Sequence, residues 1–288
     1  IYEDTSSIPN ILTEIETDID STNSVKVKYW YYFIAISYYI GTEKNNEKGI
    51  ELQIQFINLI EKEAAVRSKA AIAGTNMQLA HIYLITNNYK KALQPAKKAV
   101  ETFRKDSFNF LRALEIQFWA HLRNEDLKGA EEDVKKAFGH KNIQKSAYFC
   151  AKWNYLKANL MFLRGDLSSA HDFLLKSDEL TKDKAGWYIG FKLLLIYITF
   201  EQGNYYWLES QLENFRKLLS RNKQGNIKRA KIIHKVAHAL LQNNGDFRKV
   251  KVANDRDLQL LEEAKDEMHW NPTGYEVVRF DDWFHKKI

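Results

Sequence analysis

The sequence predicts an all-α chain: a right-handed α-solenoid of about six helix–turn–helix repeats, closed by an aromatic C-terminal cap. Three observations predict it. The 288 residues hold only 12 Gly and 3 Pro, too few for a chain built on strands and tight turns. Polar turn strings recur at a spacing of 38 to 42 residues. Between the turns, apolar and small residues repeat in steps of three and four, which gathers them on one side of a helix.

The stretch 76–100, NMQLAHIYLITNNYKKALQPAKKAV, shows the unit most plainly. Leu79, Ala80 and Tyr83 share one helical face, and Ala92, Ala96 and Ala99 share another. The alanines let two helices approach closely, and the polar pair Asn87-Asn88 ends the first and starts the second. This Leu, small residue, Tyr, then Ala pattern resembles the tetratricopeptide repeat. The resemblance covers residues 25–265 and is strongest in the second and fourth units. The period is longer than the ~34 residues of the standard repeat, which lengthens the helices of each unit by about a turn in all. Long repeats of this kind resemble those of bacterial peptide-sensing regulators and of adaptor proteins.

Taken in order, residues 1–24 form an N-terminal segment. Pro9 starts a short helix there, with Ile11, Leu12, Ile15 and Ile19 on one side. The repeat body spans 25–266. Its turns read NNEKGI to Ile50, NNYKKA to Ala92, NEDLKGA to Ala130, GDLSSA to Ala170, GNYYWL to Leu208 and GDFRKV to Val250. The helix pairs predicted around them are 25–41 with 48–66, 70–86 with 89–104, 107–123 with 126–138, 144–164 with 167–180, 185–202 with 205–221, and 227–243 with 246–268. Gly165, Gly203 and Gly245 supply the left-handed residue that closes one helix, and Asp166, Asn204 and Asp246 cap the next. In such arrays first helices line the concave side, and second helices lie outside.

Residues 267–288 differ. They hold Trp270, Tyr275, Phe280, Trp283 and Phe284, with turn chemistry at Asn271, Pro272 and Gly274. The segment 275–280 favours extended backbone, and Asp281 caps a last helix, 282–287. Two readings stay open: a cap over the last repeat, or a docking segment for another protein.

Composition bounds the function. Hydrophobic residues make up 45% of the chain, so it folds rather than staying disordered. The net charge of +6 is a mild basic excess. Cys150 is the one cysteine and cannot form an internal disulfide; beside Phe149 it reads as a buried apolar side chain in a reducing, cytoplasmic protein. No apolar run approaches the ~18 residues that cross a bilayer. The chain opens at Ile1 without methionine, which leaves room for a preceding leader or effector domain.

Catalytic patterns are missing: the sequence has no G-x-S-x-G, no phosphate-cradling glycine loop and no H-E-x-x-H. It reads as no enzyme, with no cofactor. His234 and His238 stand at metal-clamping spacing, but they lack a third ligand and are flanked by Lys231 and Lys235, so they read as ordinary histidines. A basic cluster of Arg216, Lys217, Arg221, Lys223, Lys228, Arg229, Lys231 and Lys235, followed by Arg248, Lys249 and Lys251, could neutralise phosphates. It reads equally as a solvated face, with cations favoured at a helix C-terminus.

The resemblance implies a ligand site on the inward side of the first helices. Carried onto this chain, the groove positions are Met77 and His81; Arg112, Glu115 and Trp119; Lys152, Tyr155 and Asn159; Leu193 and Tyr197; and Lys235. Aromatic, Arg and Met side chains suit interface centres. Lys152 with Asn159 also resembles part of the carboxylate clamp of co-chaperone repeats. The function expected is a non-catalytic adaptor that binds a protein or peptide in this groove. The alternatives are the sensing module of a transcriptional or signalling protein, and a nucleic-acid binder using Arg216, Arg221, Lys228, Arg229 and Lys231.

Overall fold

Side-chain caps set many of the helix starts. The computed structural model describes residues 7–19, 21–184, 186–222 and 227–288; Lys223 of the basic cluster lies outside them. Contact density divides the chain into two units, Ile1–Asp133 and Val134–Ile288.

The first unit begins with α1 (Ile8–Ile19), α2 (Val25–Gly41) and α3 (Asn46–Lys62). Next come α4 (Lys69–Ile85), α5 (Tyr89–Thr102), α6 (Phe108–Arg123) and the start of α7 (Leu127–Phe138). Serine opens the first helix of each pair: Ser24, Ser68 and Ser107 accept from the N–H groups of Val27, Ala71 and Phe110. Asn45 and Asp126 open second helices, accepting from Lys48 and Gly129. Each such oxygen satisfies an N–H that the helix cannot.

The first unit's core follows the repeat pattern. Ala80, Ala92, Ala96 and Ala99 are wholly buried, and α4 and α5 form the most extensive helix contact in the molecule. Gly49 and Gly129 stand where a Cβ would fall 2.3 Å from Ile40 and 2.2 Å from His121, so a larger residue there would have to displace those side chains. On α1 the packed face is Ile8, Leu12, Ile15 and Ile19; Ile11, assigned to it from the sequence, is 49% exposed. Residue 11 precedes Leu12 by one position, about 100° around the helix.

The second unit contains α8 (Ala147–Leu163), α9 (Leu167–Leu175), α10 (Trp187–Glu201), α11 (Tyr205–Arg221) and α12 (Lys228–Gln242). It ends with α13 (Phe247–Ala253), α14 (Asp255–Glu263) and α15 (Phe280–His285). The expected hinge chemistry is present: Gly165, Gly203 and Gly245 take φ of +80°, +68° and +76°, and Asp166, Asn204 and Asp246 cap α9, α11 and α13.

Three elements depart from the sequence reading. The last second helix is two helices, α13 and α14, which meet at Asn254, whose side chain donates to the Val250 carbonyl at 3.0 Å. α9 stops at Leu175, where the Ser177 hydroxyl takes the Leu174 carbonyl, and a 3₁₀ turn follows over Asp178–Lys182. Asp281 is no cap. It sits in the first turn of α15, 2% exposed, as an ion partner of Arg229 and Arg279.

Candidate functional site

In the first unit the predicted groove residues of α4 and α6 stay accessible. Met77 and Glu115 are half-buried; His81 and Arg112 are exposed. α4 and α6 touch directly. His81 keeps an open surface, yet desolvation by surrounding protein lowers its pKa, with the Glu115 charge pulling the other way. Arg112 makes no ion pair among the described residues, so its guanidinium is available to a carboxylate. Trp119 is different. It is wholly buried, packed on Phe118, with its indole N–H donating to Glu115 at 3.4 Å and Arg123 over its ring at 5.2 Å. It buttresses Glu115 and is not a contact surface.

Sequence reasoning missed a neighbouring feature on α2, the first helix of the first pair. Val27, Trp30 and Ile34 stand in line at helical spacing, and Trp30 is 58% exposed. The cue was present, since α2 is apolar on every side and one side of such a helix must look for cover.

In the second unit two of the predicted groove residues, Tyr155 and Tyr197, are covered by the chain's own C-terminal segment. Tyr155 is buried and donates from its hydroxyl to the Tyr275 carbonyl at 2.6 Å. Asn159 is buried and spends its amide on the Tyr155 carbonyl, 2.9 Å away. Leu193 is buried, and Tyr197 is stacked on Trp283 with ring centroids 4.9 Å apart. Burial pushes the Tyr197 hydroxyl well above its ordinary pKa, with Glu276 adding to the rise. None of these four presents a surface to a separate ligand, and residues 275–284 lie against Tyr155 and Tyr197. Lys152 is half-buried, its ammonium 4.7 Å from the centre of the Trp187 ring, and with Asn159 turned inward the clamp-like pair does not form. Lys235 is exposed but held by Asp257 at 2.6 Å.

The basic cluster is largely neutralised from within. Arg216 pairs with Glu213 at 2.7 and 2.9 Å, Lys217 joins them, and the carboxyl of Glu213 is held down at about 2, first by the Arg216 hydrogen bond. Lys228 pairs with Glu267. Arg229 is 3% exposed. It grips Glu276 through two bonds of 2.6 and 2.9 Å, Asp281 at 2.8 Å and the Leu261 carbonyl at 2.7 Å. Burial works against its charge, but Glu276 and Asp281 outweigh burial and raise its pKa. A phosphate cannot reach it. Arg221 and Lys231 are exposed, without an ion pair among the described residues.

The His234 Nε2–H donates to the Leu212 carbonyl, 3.1 Å away, and the ring stacks on His238. Among the described residues no group of three His, Cys, Asp or Glu side chains could hold a metal, and no helix is long and apolar enough to cross a membrane. Cys150 is half-buried rather than buried, and its sulfur accepts from the Asn154 amide at 3.6 Å.

Comparison with solved structures places this architecture. The apo form of RapI superposes with a TM-score of 0.70 at 14% identity, over 98% of this chain and 81% of that one. The chain has the tetratricopeptide-like helical-repeat fold. A Rap protein complexed with competence and sporulation factor superposes with a TM-score of 0.59 at 13% identity, covering 98% of this chain and 78% of that one. Comparison with protein-family models and with curated proteins gives no match.

Proposed function

We propose that the protein is a non-catalytic adaptor that binds a peptide or protein segment on the first-helix face of its N-terminal unit, through Met77, His81, Arg112 and Glu115. The observation that carries this reading is the exposed Arg112 guanidinium, without an ion pair among the described residues, on α6, which packs against α4, the helix that carries Met77 and His81. A cation without an internal carboxylate is a ready partner for an acidic side chain or a chain-terminal carboxylate. The fold supports the same reading, since a repeat array builds surface rather than a catalytic pocket, and a protein of this fold has been seen complexed with competence and sporulation factor. A regulatory role, in which binding on this face is signalled to other parts of a cytoplasmic protein, is the form of adaptor that this likeness favours.

Panning a random peptide library on the full chain tests it. Acidic peptides should be retained, and Arg112→Glu should release them. Retention that ignores Arg112→Glu, His81→Ala and Met77→Ala together removes the reading. The nucleic-acid alternative keeps four exposed cations outside ion pairs among the described residues, Arg221, Lys231, Arg248 and Lys249, which is a weak base for phosphate binding.

A further inference from the structure

Residues 269–279 contain no helix of their own, yet they and α15 lie against the first helices α8, α10 and α12 through contacts of a kind that a bound peptide makes. A backbone carbonyl is gripped by a side chain, as the Tyr155 hydroxyl holds Tyr275. That carbonyl comes so close to α10 that a Cβ on Gly190 would lie 2.4 Å from it, so a side chain has been left out where the segment passes. Two carboxylates, Glu276 and Asp281, enter one buried guanidinium, Arg229 of α12. One large aromatic ring, Trp283, fills a wall made by Tyr197, Phe200 and Phe247, and its indole N–H donates to Glu201 at 2.7 Å. The receiving groups on α8, α10 and α12, with Phe247 of α13, thus present an aromatic slot, a donor to a carbonyl and a carboxylate receptor. Together they describe a peptide site whose occupant belongs to the same chain.

We propose that residues 275–284 act as a built-in peptide ligand, occupying in cis a second binding face formed by α8, α10 and α12. The partner that this face fits is an extended acidic peptide carrying an aromatic side chain, which must displace the segment to bind. This rests on the reading of the protein as a peptide-binding repeat adaptor, but uses a different face from Arg112. Displacement has a defined chemical requirement. Arg229 is buried, and a buried guanidinium left without a carboxylate is strongly unfavourable, so an incoming peptide has to bring its own acid before the segment can leave.

Two measurements on the full chain test it. The first is hydrogen exchange of the unaltered protein. A cis ligand opens separately from the helices beneath it, so the amides of residues 277–284 should exchange at least about tenfold faster than those of residues 193–198 in α10. Exchange of both in step, through a single opening, makes the segment a permanent part of the core and overturns the proposal. The second adds a labelled synthetic peptide with the sequence of residues 270–288, and a scrambled version of it, to the native protein and to Trp283→Ala. The variant weakens the cis copy, so it should bind the peptide in trans at least about tenfold more tightly than the native chain does, and should ignore the scrambled peptide. Equal binding by the two proteins, with the variant still helical, overturns the proposal. Should Trp283→Ala fail to fold, the exchange comparison decides alone. Peptide retention through Arg112 is read separately, so loss of this inference leaves that result standing.

Discussion

The first-helix faces of the two units meet different fates. On α4 and α6, Met77, His81, Arg112 and Glu115 keep access to solvent. On α8, α10 and α12, Tyr155, Asn159 and Tyr197 are buried, Tyr155 and Tyr197 against residues 275–284, and Arg229 is locked to Glu276 and Asp281. The same helical register therefore yields an open face in one unit and a filled one in the other. What separates them is a segment far away in sequence, and the energetic consequences of substitution should divide along the same line.

The largest effect is expected at the filled face. Arg229→Ala leaves buried Glu276 without its cation and Asp281 with Arg279 alone, and should cost about 3–5 kcal/mol, read from the urea midpoint. A loss below about 1 kcal/mol would mean that Glu276 and Asp281 are hydrated and the face is not closed. Gly190→Ala comes next. Its methyl group would press on the Tyr275 carbonyl, with a cost of about 1–3 kcal/mol of overpacking concentrated in faster exchange of residues 275–284. Tyr155→Phe removes one hydrogen bond to that carbonyl and should cost about 1 kcal/mol.

At the open face the sign of the argument changes. Arg112→Glu should leave stability within about 0.5 kcal/mol, as expected for an exposed residue, while abolishing retention of acidic peptides. A large stability loss there would show that Arg112 carries structure and that the two faces are alike. The smallest and most specific signal belongs to His81. Desolvation lowers its pKa from 6.5, so the neutral ring is favoured in the fold, and the stability it lends is lost only as pH falls below that ordinary value. An acidic ligand beside it favours the charged ring instead, so binding should take up a proton and tighten from pH 7 towards pH 5. An NMR titration of the His81 ring with and without bound peptide checks the direction.

Much of the repeat body was legible residue by residue. The turn strings placed six hairpins, and the Gly165, Gly203 and Gly245 hinges with their Asp and Asn caps stand where the pattern put them. These features depend on interactions within about four residues along the chain, so a linear pattern carries them. Asn254 shows the limit. Its cue for ending a helix is local, yet it competes with a long amphipathic run that argues for continuing.

The candidate site was legible only in part, and the misses share a cause. Trp119, Tyr155 and Tyr197 were read as interface aromatics from their helical position, but position fixes only the direction of a side chain and not what lies opposite it. Arg229 was read with its basic neighbours because charge runs are visible in sequence, whereas its acids lie 47 and 52 residues away. Trp30 was overlooked because an all-apolar helix does not announce which of its sides remains uncovered.

By itself, the sequence determined the helical hairpins, their caps and their period, because helix formation and capping are settled among near neighbours. The tertiary structure alone decided which face is open and which is filled. Tyr155 meets a carbonyl 120 residues away and Trp283 an acid 82 residues away, and such pairings depend on burial and charge neutralisation at a distance, which leave no periodic trace along the chain.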